Sequence, residues 1–397
     1  MKLHIFNPEN DLALADGGAN YCPPPAAAQI AYDLAALPLW FATPDDRVIL
    51  PDNAHLEYYR RISSLFDVAS PFECDDCDSV TSCLPWGWSA QIKRRLDVMG
   101  LADVLPTDMN IARIRELSHR KTSILILTAL RDAGVDIPSL PMYFTNIVDV
   151  VDFIKSRPRC VVKAPWSGSG KGIAWGIGHV EPPMEHFCKG VIRRQGGVLC
   201  EEFLNIRAEF AMEFYADEMG VEFAGYSLFN SFKGSYSGNV LACDVKIEEF
   251  LAGLVPIEKL VELKSLLPGI LYSLLDGSGY IGYLGVDMMV YDDNGCLRLN
   301  PCMELNLRMN MGVASRLFFD KHVNEGSVGV FRVRFFKNAT EAYAAHTAEK
   351  DLFPLEIKGG KIVSGYLELS PVMPETRYSV SVIIYENGDV GKVYCGE

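Results

Sequence analysis

Asp293-Asn294-Gly295 stands between two apolar stretches, residues 283–291 and 296–308, and is a hairpin-turn signal. The flanking stretches must then pair antiparallel, which carries Asp287 toward the strand that holds Glu304 and Asn306. Side chains alternate along a strand, so Glu304, Asn306 and Arg308 share one face. Asp287, Glu304 and Asn306 are hard oxygen donors. They suit Mg²⁺, with Mn²⁺ as a second option, because such an ion takes a few carboxylates and completes its shell with phosphate and water. Burying this many polar groups among Leu and Met with nothing bound is the costly alternative. The pairing leaves one ambiguity. From 287 to 304 is a long link, and a different register would put Asn300 in place of one of the three.

A second constraint lies upstream. Residues 159–163 read as a short apolar strand ending in Lys163, and residues 173–177 as another strand. Between them runs Trp166-Ser167-Gly168-Ser169-Gly170-Lys171-Gly172, rich in free backbone N–H groups that suit phosphate oxygens. This is neither a P-loop nor a G-x-G-x-x-G turn into a helix. It is a glycine-rich hairpin with a lysine on the preceding strand, an arrangement that protein kinases also use over phosphates. Residues 198–204 then form an apolar strand with two acids, Glu201 and Glu202, followed by Phe203 and Leu204. Residues 207–215 alternate, with Phe210, Met212 and Phe214 against Glu209 and Glu213. The acids suit an adenine and ribose contact, or are solvated strand ends.

The first hundred residues alternate strand and helix, with strands at 2–6 and 47–50 and helices after Pro25 and over 55–66. That pattern implies an open parallel sheet whose ligands sit beyond the strands' carboxyl ends. Asn7–Asp11 falls at such an edge, as a polar-substrate contact or simply a turn. Trp86-Gly87-Trp88, just before a helix capped by Ser89, reads as packing, with a pocket lining as the alternative. A helix is expected over 118–133, ending at Gly134. Phe232 to Asn239 is glycine- and serine-rich, either a substrate loop with Lys233 inward or a surface hairpin. Strand-like stretches at 362–369 and 379–385 close the chain.

Composition removes several classes. A charge sum of 37 − 51 = −14 speaks against nucleic-acid binding through a general basic field. The longest clean apolar run, residues 124–130, is far short of the roughly 20 needed to cross a bilayer, so no membrane partner is expected. The start MKLHIF followed by Asn7 has no signal-peptide character, and a cytoplasmic location is expected. Cys74, Cys77 and Cys83 lack the second ligand pair of a zinc site.

In this order the motifs resemble the ATP-grasp superfamily: Lys163 with its glycine loop, the Glu201–Leu204 segment with Glu209 beyond, Asp287, then Glu304-x-Asn306-x-Arg308. The resemblance covers about residues 118–312. It implies an N-terminal open parallel α/β domain (1–117) before a two-part grasp, 118–200 with the glycine loop and 201–325 with the magnesium site. A β-rich extension, 326–397, follows. It implies ATP and Mg²⁺ as cofactors. Lys163 would contact the α- and β-phosphates, and Ser167, Gly168, Ser169, Gly170, Lys171 and Gly172 would close over them. Glu201 and the backbone of Glu202, Phe203 and Leu204 would meet adenine, with Glu209 on the ribose. Asp287, Glu304 and Asn306 would hold the metal, and Arg308 would stabilise the transferring phosphoryl or a substrate carboxylate. The family's earlier phosphate-contacting lysine has Lys121 as its nearest candidate, with His119 and Arg120 competing. The activity implied is an ADP-forming ligase that joins a small-molecule or peptide carboxylate to an amine, with a homodimer among the expectations. A phosphotransferase acting on a hydroxyl and a non-catalytic nucleotide-binding protein are the rivals.

Overall fold

A computed structural model describes residues 1–168, 172–232 and 235–396, with the side chains of residues 74, 75, 230–232 and 235 outside the description. Ser169, Gly170, Lys171 and Lys233 therefore lie outside the described residues.

The alternating first segment builds a sheet of β1 (Lys2–Ile5), β2 (Arg47–Val48), β3 (Ser70–Pro71) and β4 (Ser82–Pro85), in the order β3-β2-β1-β4. Every pairing is parallel, as the strand–helix alternation requires. Beyond β1, Asn7 is locked to the segment after β4. Its Nδ2 donates to Gly87 O at 2.8 Å and its Oδ1 accepts from Gly87 N at 3.3 Å. The helix Asn10–Asp16 starts directly afterwards, so the polar run is part turn and part first helical turn.

A second sheet holds β5 (Met142–Phe144), β6 (Cys160–Lys163), β7 (Ile173–Gly176) and β8 (Val198–Glu202), ordered β5-β8-β6-β7. β6 and β7 pair antiparallel, Lys163 opposite Ile173, so the glycine loop is a hairpin connection. Ahead of this sheet the helix expected over 118–133 begins four residues late, at Thr122. One helix runs Asp108–Leu117, begun by a Thr107–Asn110 capping box, and the next runs Thr122–Asp132. The break is where Arg120 turns inward: its backbone N–H donates to Pro165 O at 3.0 Å and its side chain is buried.

The third sheet comprises β9 (Asn205–Ala216), β10 (Val221–Phe232), β11 (Ser235–Leu241), β12 (Gly282–Asp293), β13 (Cys296–Asn306), β14 (Val328–Phe335), β15 (Glu356–Lys358), β16 (Lys361–Glu368) and β17 (Tyr378–Tyr385). Its order is β13-β12-β9-β10-β11-β14-β17-β16-β15. The C-terminal strands thus extend the same sheet that carries the acids. β11 lies between β10 and β14, so the β10–β11 pair is interior to the sheet. Phe210, Met212 and Phe214 are fully buried on one face of β9, in one core with Leu260, Leu263, Leu267 and Leu271 of the helix Ile257–Leu275. Full burial of each such side chain is worth about 1.5–3 kcal/mol. That anchors the apolar face and leaves the alternate residues, Glu209 and Glu213, on the other. Phe203 and Leu204 are all that separates the second sheet from the third.

Candidate functional site

The site begins with a register. In β12–β13 the turn pairs Asp293 with Cys296 and Met289 with Asn300, yet Asp287 lies opposite Glu304 and Gly285 opposite Asn306. Two steps along β12 correspond to four along β13, so β13 carries extra residues around Pro301–Met303. Asn300 closes this bulge by accepting the Cys302 N–H on its Oδ1 at 3.2 Å. Without the bulge Asp287 would face Cys302; with it, Asp287, Glu304 and Asn306 lie together on one face. This explains the long link between the acids and assigns Asn300 to the bulge.

Asp287 is held in an electrostatically costly place. Burial, then the charge of Glu304, raise its pKa to about 7, against hydrogen bonding from Asn306 and the charge of Arg308. A divalent cation would relieve both the burial and the repulsion, so the donor set fits Mg²⁺. Among the described residues no group of three or more His, Cys, Asp or Glu side chains is arranged to hold a metal. Two carboxylates and one amide fit an ion that takes its remaining oxygens from phosphates and water.

Facing this centre, Lys163 is 6% exposed and forms an ion pair with Glu201 of the neighbouring strand β8. Cys302 reports how close the two layers come: its buried thiol is pushed up by burial first, and feels Asp287, Lys163, Glu304 and Glu201 together. Arg120 spans the gap. Its Nη1 donates to Ala164 O at 2.8 Å and Ser167 Oγ at 2.6 Å, and its Nη2 to Ser167 O at 2.9 Å and Glu304 Oε2 at 3.0 Å. Lys121, by contrast, is exposed at the start of its helix, while its backbone N–H donates to His119 Nδ1 at 2.9 Å. His119 is pushed down to about 4, mainly by burial and then by Lys121, so it is neutral near pH 7. Of the three basic candidates on this turn, the one facing the acids is Arg120.

The base of the glycine loop is closed by Ala164 N donating to Gly172 O at 2.8 Å. Gly168 abuts Asp11, since a Cβ there would stand 2.4 Å from Asp11 Oδ2. Asp11 in turn fills the fork of Arg308, accepting from Nε at 3.0 Å and from Nη2 at 2.8 Å. Burial opposes the charge on Arg308, but Asp11, Glu304 and Asp287 outweigh it and raise its pKa. The N-terminal segment, the glycine loop and the acid-bearing strand therefore meet at one point.

The remaining expected residues are more dispersed. Glu202 is exposed, accepting from Ser139 Oγ at 3.1 Å, with Arg157 3.8 Å away. Phe203 has the Arg159 guanidinium 3.5 Å from its ring centroid, and Leu204 is half-buried beside it. Glu209 is half-buried on β9 opposite Met289, and its backbone N–H donates to Tyr394 Oη at 3.2 Å. Cys77 is half-buried and Cys83 buried, while the side chain of Cys74 lies outside the described residues.

One buried acid was visible in the alternation of β9 but had no role assigned. Glu213 is 1% exposed, opposite Gly285, and accepts from Asn310 Nδ2 at 2.9 Å. Gly312 makes room for it, because a Cβ there would stand 2.2 Å from Glu213 Oε1. Ser227 hydrogen-bonds Glu213 and also accepts from Asn239 Nδ2 at 2.6 Å, and Tyr236 donates to Asn239. Burial raises the Glu213 pKa to about 8; Asn310 opposes the shift, Asp287 adds to it and Arg308 opposes it. Because this value lies above that of an unfolded chain, the fold holds the extra proton between about pH 4.5 and 8 and loses stability as pH rises across that window. Glu213→Gln is expected to gain about 1–2 kcal/mol at pH 8.5 and little at pH 5. Urea titrations at the two pH values check this, and equal effects at both would refute it.

No family model matches the sequence, and no curated protein matches it. Among solved structures, N5-carboxyaminoimidazole synthetase from Staphylococcus aureus complexed with ADP aligns with a TM-score of 0.52 at 12% identity, covering 100% of this chain and 95% of that one. Biotin carboxylase from Campylobacter jejuni, in a β,γ-ATP complex, aligns at 0.50 and 10% identity, covering 98% and 88%. The biotin carboxylase domain dimer of Hydrogenobacter thermophilus 2-oxoglutarate carboxylase, with MgADP and bicarbonate, aligns at 0.50 and 12% identity, covering 97% and 86%. Both kinds of neighbour are ATP-grasp proteins. With its parallel N-terminal sheet, glycine-hairpin sheet and acid-bearing antiparallel sheet in the same order along nearly the full chain, this protein has the ATP-grasp fold.

Proposed function

We propose that the protein is an ADP-forming ligase that activates a carboxylate and joins it to an amine or similar nucleophile. The observation that carries this reading is the convergence of Lys163, Arg120 and Arg308 on the Asp287–Glu304–Asn306 face. Cations and hard oxygen donors share one cleft there, which is what phosphoryl transfer asks of a protein: position and charge neutralisation without a protein nucleophile. The ADP, MgADP and bicarbonate complexes of the structural neighbours support ATP, Mg²⁺ and a small carboxylate-type substrate here.

In this reading a substrate carboxylate oxygen attacks the γ-phosphorus, the bond to the β-phosphate oxygen breaks, and ADP leaves. The amine then attacks the acyl carbon, phosphate departs and the nitrogen loses a proton. Lys163 and Arg120 hold phosphate oxygens, Phe203 and Leu204 bear the adenine between the two sheets, and Glu209 takes the ribose. Arg308 holds the substrate carboxylate or the transferring group. Mg²⁺ held by Asp287, Glu304 and Asn306 would neutralise charge on the phosphates. Within the glycine loop, the described Ser167, Gly168 and Gly172 form its base. Lys121, exposed as it is, yields the first phosphate contact to Arg120.

ADP release is expected only when Mg²⁺, a carboxylate and an amine are present together, measured across pooled acids and amines. A stable phosphoester formed with a hydroxyl acceptor would move the assignment to a phosphotransferase, and nucleotide binding without ADP release under any pool would remove the ligase. Among the described residues no helix is long and apolar enough to cross a membrane.

A further inference from the structure

One residue past Arg308 the chain enters a cavity of about 230 Å³ between the N-terminal sheet and the starts of β12 and the helix Met311–His322. Six rings line it: Phe41, Trp86, Trp88, Tyr215, Tyr280 and Tyr283. Several brace one another. Tyr215 and Tyr283 meet edge to face at 4.9 Å, Phe41 lies 6.4 Å from Trp86, and the Tyr280 hydroxyl donates to Tyr283 O. The tryptophan pair is held by the backbone, since Met309 N donates to Trp86 O at 2.8 Å.

Three polar side chains in the wall are paired among themselves. His4 Nε2 meets Asp46 Oδ2 at 3.2 Å, and Thr43 donates to the same oxygen at 2.8 Å. Against them stand the six rings, which favour a guest that carries a ring of its own. A volume of about 230 Å³ takes one ring of benzene to indole size and is too small for a nucleotide. Arg308 adjoins the lining residue Met309: its Nη1 donates to Met309 O at 3.1 Å, and the rest of the guanidinium binds the carboxylate of Asp11 with two nitrogens. A fork that takes one carboxylate in this way suits another.

We propose that this cavity is the side-chain pocket of the acid activated at the site, and that the acid carries an aromatic ring, as an aromatic amino acid or a peptide ending in one does. The proposal rests on the ligase reading for the fate of the carboxylate, but ring binding can be measured without turnover. Calorimetry on the full chain, with 3-phenylpropionate and phenylalanine as probes against acetate and alanine, should show the aromatic probes binding at least tenfold more tightly. The phenyl probes should also alter the fluorescence of Trp86 and Trp88. Leu317→Trp, which adds a ring to the cavity wall, should weaken 3-phenylpropionate at least tenfold; Leu317→Phe serves if circular dichroism shows the first variant unfolded.

Ring binding together with ADP release fastest for an aromatic acid supports the proposal. Ring binding with no ADP release under any acid supports the cavity and removes the ligase. Failure of wild type to bind either aromatic probe, or fastest ADP release with a small acid lacking a ring, overturns the pocket assignment while leaving the ligase standing.

Discussion

Asp287→Asn is expected to cut ATP turnover by roughly two to three orders of magnitude while leaving the fold at least as stable as wild type. The two effects have one cause. Asp287 is half-buried opposite Glu304, so its charge is unfavourable beside that acid and would become valuable with a divalent cation held by the site. An amide of the same shape removes the repulsion and with it most of the attraction for Mg²⁺. The folded pKa near 7 lies above that of an unfolded aspartate, so wild-type stability falls as pH rises from about 3.8 through 7. The variant should therefore gain most above pH 7. Glu304→Gln should lose turnover similarly but lack the stability gain, because Arg120 then keeps a buried charge without its carboxylate. Coupled ADP assays and thermal melts at pH 6 and pH 8 read both quantities. Turnover at the wild-type rate in either variant would remove the metal assignment.

Arg120→Met should be the most destabilising single change near the site, at about 3–5 kcal/mol. The side chain of Arg120 is 2% exposed and serves acceptors on Ala164, Ser167 and Glu304. Methionine fills comparable volume but leaves two buried carbonyls and a carboxylate without a donor. Arg120→Lys should recover less than half of the loss, because one ammonium cannot reach acceptors on both sides of the cleft as a planar fork does. Urea unfolding measures the series, and a loss under about 1 kcal/mol for Met would show that the bridge adds little.

The contrast between Arg120 and Lys121 shows where reading along the chain runs out. Both are cations on neighbouring positions, and both suit phosphate. Only the break between Leu117 and Thr122, with the Arg120 N–H tied to Pro165, decides which one turns inward. No local pattern announces that break, since residues 118–121 read as the first turn of a helix over 118–133. The bulge in β13 is a similar case. Alternation alone places Glu304, Asn306 and Arg308 on one face, but which of them meets Asp287 depends on two extra residues whose presence shows only in the pairing.

Other features were legible because local chemistry dictates them. The Asn294-Gly295 turn dictates an antiparallel pair, and the alternation in β9 dictates one apolar and one acidic face. The glycine-rich stretch after Lys163 dictates a hairpin, and Lys163 pairs opposite Ile173 at its base. Glu213 was in plain view on the acidic face, yet its depth was not, because burial depends on what packs from outside the strand. Here that is Gly312, which has no side chain to exclude it.

The sequence by itself determined the strands, their turns and the chemical character of each face, since these follow from dihedral preference and side-chain periodicity over a few residues. Tertiary structure alone decided the partners: Asp11 with Arg308 across 297 positions, Arg120 with Glu304 across 184, and Trp86 beside Met309. Such pairings depend on where sheets come to rest against one another, and that is settled by the summed burial of cores remote from the residues that meet.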